Sequence, residues 1–160
     1  MKLSFPLAAA FAAILSLSAC GGGGGDSGGG TPPVVNNPAA LTKTDSAIGT
    51  GAEAVNGARV QVNYTGWLYS AAAADFKGSK FDASQPGKPF TFVIGAVNTN
   101  ESVIPGFGQG VLGMKVGGKR TVVIPSSLGY GAGGVPGAIP GNTGLVFEVE
   151  LVKVCGSTAC

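Results

Sequence analysis

The chain contains no histidine among its 160 residues. That absence excludes Ser–His and Cys–His nucleophile pairs, imidazole metal sites and histidine acid–base chemistry. Charge is also scarce: only 11% of residues are Asp, Glu, Lys or Arg, with 10 basic residues against 8 acidic ones. A disordered polyelectrolyte is excluded by so few charges. The near-neutral balance supplies no basic stripe for nucleic acid. Cysteine occurs three times and tryptophan once. No apolar run reaches the roughly 20 residues that a comfortable membrane span needs.

Glycine is abundant, with 29 residues, and proline contributes 10. Together they form about a quarter of the chain, which demands a low-complexity stretch or many turns. The first twenty residues carry a different signal. Lys2 is followed by an almost wholly apolar run from Leu7 to Leu17 and then small residues. This pattern describes a secretory signal peptide, residues 1–19. Its end, Leu17-Ser18-Ala19-Cys20, resembles the bacterial lipobox. That resemblance implies lipidation of Cys20, which cleavage makes the new N-terminus; the alternative is a plain signal peptide with an incidental cysteine. Gly21, rather than Asp, follows Cys20, so residence in the outer membrane of a bacterial envelope is expected.

Residues 21–30 are glycine at eight of ten positions, and Pro32, Pro33 and Pro38 follow. Glycine-rich chain is a flexible coil and proline-rich chain is stiffer. Residues 20–40 therefore read as a lipidated cysteine and a disordered tether to the membrane. A domain over 41–154 is long enough for one core. In the 155–160 tail, Cys155 and Cys160 either close a small disulfide loop, which an envelope compartment permits, or remain two thiols. Their spacing is not that of a Cys-x-x-Cys redox motif.

Within the domain, Val60, Val62 and Tyr64 alternate with Gln61, Asn63 and Thr65, the period of a half-buried strand. Phe90, Phe92 and Ile94 repeat the pattern, residues 121–124 form a β-branched run, and Leu145, Phe147, Val149 and Leu151 share a face opposite Glu148 and Glu150. A weaker first strand is expected near 41–48. One helix candidate follows Ile104: Pro105 suits a first helical position, and Phe107, Val111 and Leu112 form its expected buried side. Its glycines make it weak alone, so packing must hold it. The fold class is α+β, an antiparallel sheet with one short helix against it. Gly108 to Gly113 matches G-x-G-x-x-G, but no apolar strand leads into it and no βαβ unit surrounds it. It reads as turns needing positive φ, not as a nucleotide loop.

Ordered blocks then carry a family resemblance. They are Val62-Asn63-Tyr64-Thr65-Gly66, Lys80-Phe81-Asp82-Ala83-Ser84, Pro89-Phe90-Thr91-Phe92 and Val103-Ile104-Pro105-Gly106-Phe107, then residues 113–120, Leu128-Gly129-Tyr130-Gly131-Ala132 and residues 145–151. Over about residues 58–154 the chain resembles the FKBP-type peptidyl-prolyl cis–trans isomerases. The resemblance implies a curved antiparallel sheet wrapped around a short helix, with an apolar cavity between them. It assigns Tyr64, Asp82 and Tyr130 to catalysis and Phe81, Phe90, Val103, Ile104, Phe107, Ile139 and Phe147 to substrate binding. Phe107 stands where the family usually has Trp, which keeps an apolar ring and loses a donor. Asp82 is expected to orient the Tyr64 hydroxyl; its alternative role is a turn cap. Extra residues at 71–77 and 98–101 are expected, the first bulging from the sheet.

The implied activity is rotation about X–Pro bonds in folding envelope polypeptides, without metal or cofactor. A non-catalytic peptide-binding or holdase module using the same groove is the alternative. Proline-containing unfolded chains are the expected partners, the membrane is reached through the N-terminal lipid, and a monomer is the default. Macrolide inhibitors of the family are expected to bind, weakened by Phe107 and by the altered 133–138 loop.

Overall fold

The computed structural model describes residues 36–156 and 160. The signal peptide and lipidation at Cys20 that the sequence leads one to expect, and the expected tether up to residue 35, lie outside the described residues. Six strands form one antiparallel sheet: β1 (Thr42–Ala47), β2 (Arg59–Tyr69), β3 (Lys77–Ala83), β4 (Phe90–Val93), β5 (Lys119–Ile124) and β6 (Leu145–Gly156). Among the described residues one α-helix, α1 (Pro105–Val111), and a 3-10 turn (Ser126–Leu128) complete the elements. The strand order is β1-β5-β6-β2-β3, and β4 also pairs with β2. This is the expected curved sheet with one short helix.

The long strand β2 organises the sheet. It pairs with β6 along its length, from Arg59↔Gly156 to Leu68↔Leu145. Its opposite edge is shared between β4 at Arg59–Val62 and β3 beyond Thr65. Register shifts interrupt its pairing with β3 after Gly66 and with β6 between Gln61 and Val62. Such irregularities bend a strand and increase its twist, which curves the sheet toward α1. The inner face carries Val60, Val62, Phe92, Val122, Ile124, Leu145, Phe147, Val149 and Leu151, all buried. Edge strand β1 is exposed throughout, and its Lys43 and Asp45 discourage pairing with another chain.

Helix α1 has no side-chain cap at its N-terminus and three glycines in seven residues, so propensity does not hold it. Packing does. Gly106, Phe107, Gly108, Gly110 and Val111 are all buried. A β-carbon on Gly110 would stand 2.7 Å from Val122 of β5; the glycine is there for close approach, not for positive φ. Leu112 falls at the C-cap and is 39% exposed, because the helix ends one residue too early to turn it inward. It does not join the buried side expected of it. Arg120 closes this end: its Nη1 donates to the carbonyls of Gly110 at 2.8 Å and Leu112 at 3.2 Å. The same guanidinium pairs bidentately with Asp45 at 2.7 and 3.1 Å. One side chain thus supplies the donors that a helix C-terminus lacks and ties β1 to α1.

Strand β3 has no clear alternation in its sequence (Lys-Gly-Ser-Lys-Phe-Asp-Ala) and forms through pairing with β2. Residues 70–76 link the two strands, and Tyr69 stacks on Phe76 across the connection at 5.4 Å. Lys77, placed by sequence in the insertion, is already in β3 and pairs with Tyr69. Val146, assigned by sequence to no buried face, is fully buried. The folded contacts also begin earlier than residue 41. The Asn37 side-chain oxygen accepts the Ser126 N–H at 2.8 Å, and the Gly144 N–H donates to the Asn36 carbonyl at 2.8 Å. At the other end Cys155 and Cys160 are joined as a disulfide, with Cα atoms 5.2 Å apart.

Candidate active site

Five elements and two loops send side chains, most of them aromatic, to one place. Tyr64 comes from β2, Phe81 and Asp82 from β3, Phe90 from β4, Phe107 from α1 and Phe147 from β6. Val103 and Ile104 come from the segment entering α1, and Tyr130 from the loop after the 3-10 turn. With Ser102 these residues line an open cleft of about 520 Å³. Phe107 is its floor and is 4% exposed, while Tyr130 at the rim is 41% exposed.

The rings meet mainly edge to face, the arrangement their quadrupoles favour. Tyr64 lies 5.6 Å from Phe107 and from Phe90, centroid to centroid, and 6.0 Å from Phe147. Phe107 and Phe147 are 5.0 Å apart, and Phe147 meets Phe81 at 5.6 Å. Gly66 makes this packing feasible. A β-carbon there would approach Phe147 to 2.7 Å and Phe81 to 2.9 Å, so both rings rest on bare backbone. Gly66 and Ser102 are the contributors that side-chain chemistry does not announce. Gly66 closes the Val62–Gly66 block, and Ser102 precedes the Val103 block.

Polar groups converge at the rim. The Tyr64 hydroxyl donates to Asp82 Oδ2 at 2.6 Å, and Asp82 Oδ1 accepts the Ala83 N–H at 2.9 Å. Burial pushes the Tyr64 phenol above its ordinary range, and the hydrogen bond to Asp82 adds to that. The Tyr130 phenol is raised by burial and then by the Asp82 charge. Both therefore remain neutral hydroxyls through the physiological range. The backbone N–H of Ile104, held extended at φ −55° and ψ 142°, has no acceptor among the described residues. It is a donor at the cleft wall.

Ile139 does not line the cleft. It is 5% exposed within the core cluster, because its backbone N–H and carbonyl both bond to Val135 at 2.8 Å. That bridge folds the loop back and turns the side chain inward, so Ile139 braces the loop beyond Tyr130. Nine of the ten cleft residues expected from sequence are brought together. A depression of about 420 Å³ on the other sheet face is polar, and its Asn63, Lys119 and Glu150 satisfy one another at 3.4 and 3.7 Å. Among the described residues no three His, Cys, Asp or Glu side chains are grouped to hold a metal ion.

Comparison with known proteins agrees with this geometry. The family described as FKBP-type peptidyl-prolyl cis-trans isomerase matches residues 51–152. An FK506-binding protein of Neisseria meningitidis serogroup A is 47% identical over 116 residues, covering 72% of this chain and 96% of that protein. The solved peptidyl-prolyl cis-trans isomerase of Pseudomonas syringae pv. tomato is 34% identical, with a TM-score of 0.59, covering 78% of this chain and 83% of that one. FkpA from Escherichia coli is 38% identical, with a TM-score of 0.60, over 74% of this chain and 49% of its own. With the family match spanning well over half its length, the chain belongs to the FKBP-type peptidyl-prolyl cis–trans isomerases and is an enzyme of that class.

Proposed function

We propose that the protein accelerates X–Pro rotation in folding polypeptides of a bacterial envelope, holding the proline ring in the aromatic cleft above Phe107. The observation that carries this reading is the convergence of Tyr64, Phe107 and Phe147 within 5.0–6.0 Å of one another around the cleft. The uncatalysed barrier is about 18–20 kcal/mol and arises from amide resonance. Rotation takes tens to hundreds of seconds, slow enough to limit folding. A planar amide is more charge-separated than a twisted one. Moving the bond from water into a ring-lined cleft disfavours the planar form more than the twisted form. That difference is differential binding of the transition state.

The rim groups orient the substrate. The free Ile104 N–H and the Tyr130 hydroxyl donate to substrate carbonyls flanking the proline, while Asp82 holds the Tyr64 hydroxyl in place. No covalent step, metal or cofactor is required by such a reaction. On this reading Cys20 carries a lipid, and the tether holds the domain off the outer membrane within reach of unfolded chains. Several acyl chains, at ~0.8 kcal/mol per buried methylene, make a firm anchor. Macrolides that mimic a proline substrate enter the same cleft, with less ring area beneath them than a Trp floor offers.

A protease-coupled assay with Xaa-Pro peptides tests the activity. The expected result is acceleration of cis–trans exchange in proportion to enzyme concentration. Binding of unfolded protein with no acceleration of any peptide would instead favour the holdase. Intact mass of the mature protein tests the anchor, which predicts loss of residues 1–19 and acyl groups on Cys20.

A further inference from the structure

Beside the cleft lies a second hollow of about 180 Å³, walled mainly by Ile94, Val97, Val103, Ile104, Pro105 and Leu112. Val103 and Ile104 line both spaces, so this dipeptide is a partition with the cleft on one side and the hollow on the other. The outer wall belongs to the lengthened β4–α1 connection, and it is braced. Gly95 has φ +78°, and a side chain there would strike Asn56. The Val93 N–H donates to the Glu101 carbonyl at 3.2 Å. Arg59 pairs with the Glu101 carboxylate at 2.6 Å. Val97, at the mouth, is 74% exposed.

The base of the hollow is Gly108, and it differs from the other helix glycines. A β-carbon on Gly110 would press on β5, whereas one on Gly108 would meet only Val103 Cγ2 at 3.7 Å and Gly95 N at 3.9 Å, ordinary contact distances. Packing therefore does not require glycine at 108, and a helix interior is weakened by glycine relative to Ala. What the missing side chain preserves is the space. An apolar cavity of about 150 Å³ accommodates a benzene-sized group, so this hollow suits a Leu, Met or Phe side chain.

We propose that the hollow is a secondary subsite, receiving an apolar side chain of the same polypeptide whose proline occupies the cleft. Its continuity with the cleft through Val103 and Ile104 selects that occupant, because an extended chain advances ~3.3–3.6 Å per residue and so reaches over the partition within a few residues. The proposal rests on the isomerase reading for the peptide in the cleft. It makes the lengthened connection a determinant of substrate choice.

The test uses peptides with one proline in an alanine background and a single Leu walked through three positions on either side. Amide shifts of the labelled protein and kcat/KM are measured for each peptide. In one register Leu should improve kcat/KM about five- to tenfold, worth ~1–1.4 kcal/mol of apolar burial, and should shift the amides of Ala96, Val97 and Gly108. Gly108→Met fills the space with an unbranched helix former, and Val97→Asp places a charge at an exposed mouth; each should reduce the Leu advantage to less than twofold. Equal use of Leu and Ala in every register, or an advantage kept by both variants, overturns the subsite. If no peptide is accelerated, the isomerase reading fails, and the shift map still decides whether Leu enters the hollow.

Discussion

Tyr64 shows how one residue serves packing and chemistry together. Its ring touches Phe90, Phe107 and Phe147, while its hydroxyl is taken by Asp82. Removing the hydroxyl in Tyr64→Phe keeps the ring and frees Asp82. A hydrogen bond to a charged group contributes about 1.5–3 kcal/mol when intact; this one is exposed to solvent, so the lower end applies and kcat/KM should fall roughly tenfold, with a modest loss of stability in urea. Asp82→Ala should lower kcat/KM by a similar factor, and the double variant should cost little more, because the two act as one unit. Fully additive losses in that cycle would sever the proposed link. The raised phenols have a pH consequence as well. Tyr64 keeps its proton in the folded protein where an unfolded tyrosine, with pKa about 10, begins to lose it. Its contribution to stability is therefore complete below pH ~10 and declines as pH rises beyond it.

At the scale of elements, α1 is a helix that its own sequence argues against. Its position depends on contacts with β5 and on the Arg120 cap. Two alanine substitutions with the same helix propensity should therefore have opposite effects. Gly108→Ala, with room for the methyl, should raise the urea midpoint by the equivalent of about 0.5–1 kcal/mol. Gly110→Ala gains the same propensity but drives its methyl into Val122 at 2.7 Å, and overpacking of this kind costs about 1–3 kcal/mol. Its midpoint should fall. A rise in both would mean that α1 does not pack as closely on β5 as described.

For the whole molecule, the Asp45–Arg120 pair joins the first strand, the fifth strand and the helix end. The Arg120 hydrogen bond holds the Asp45 carboxyl below the usual carboxylate range. A depressed carboxylate contributes stability above its unfolded value, about 3.9, and that contribution is lost as pH falls through the lower folded value. Asp45→Asn should flatten the acid side of the stability–pH curve, with a neutral-pH loss of about 0.2–1 kcal/mol because the carboxylate is exposed to solvent. Arg120→Ala should cost more, about 1–3 kcal/mol, since it also leaves two helix-end carbonyls without a donor. Thermal melts from pH 3 to 7 measure both. A larger loss for Asp45→Asn than for Arg120→Ala would contradict the capping role.

Local chemistry alone placed much of this protein. Alternation marked parts of β2, β4 and β6, since a half-buried strand must present its apolar residues every second position. Pro105 marked the helix start; nine of the ten cleft residues came not from local chemistry but from the family resemblance that the ordered blocks carry. Other features depend on partners distant in the chain. Strand β3 has no periodic signal and exists because β2 offers an unpaired edge. Leu112 is exposed and Val146 buried because helix length and sheet curvature, not local pattern, decide which side is covered. Ile139 turns inward because a backbone bridge to Val135 reverses the loop. The roles of Gly66, Gly108 and Gly110 are indistinguishable in one dimension. Only the fold decides which glycine lies under a ring, which against a strand and which beside an open space, because those distances are set between elements and not along the chain.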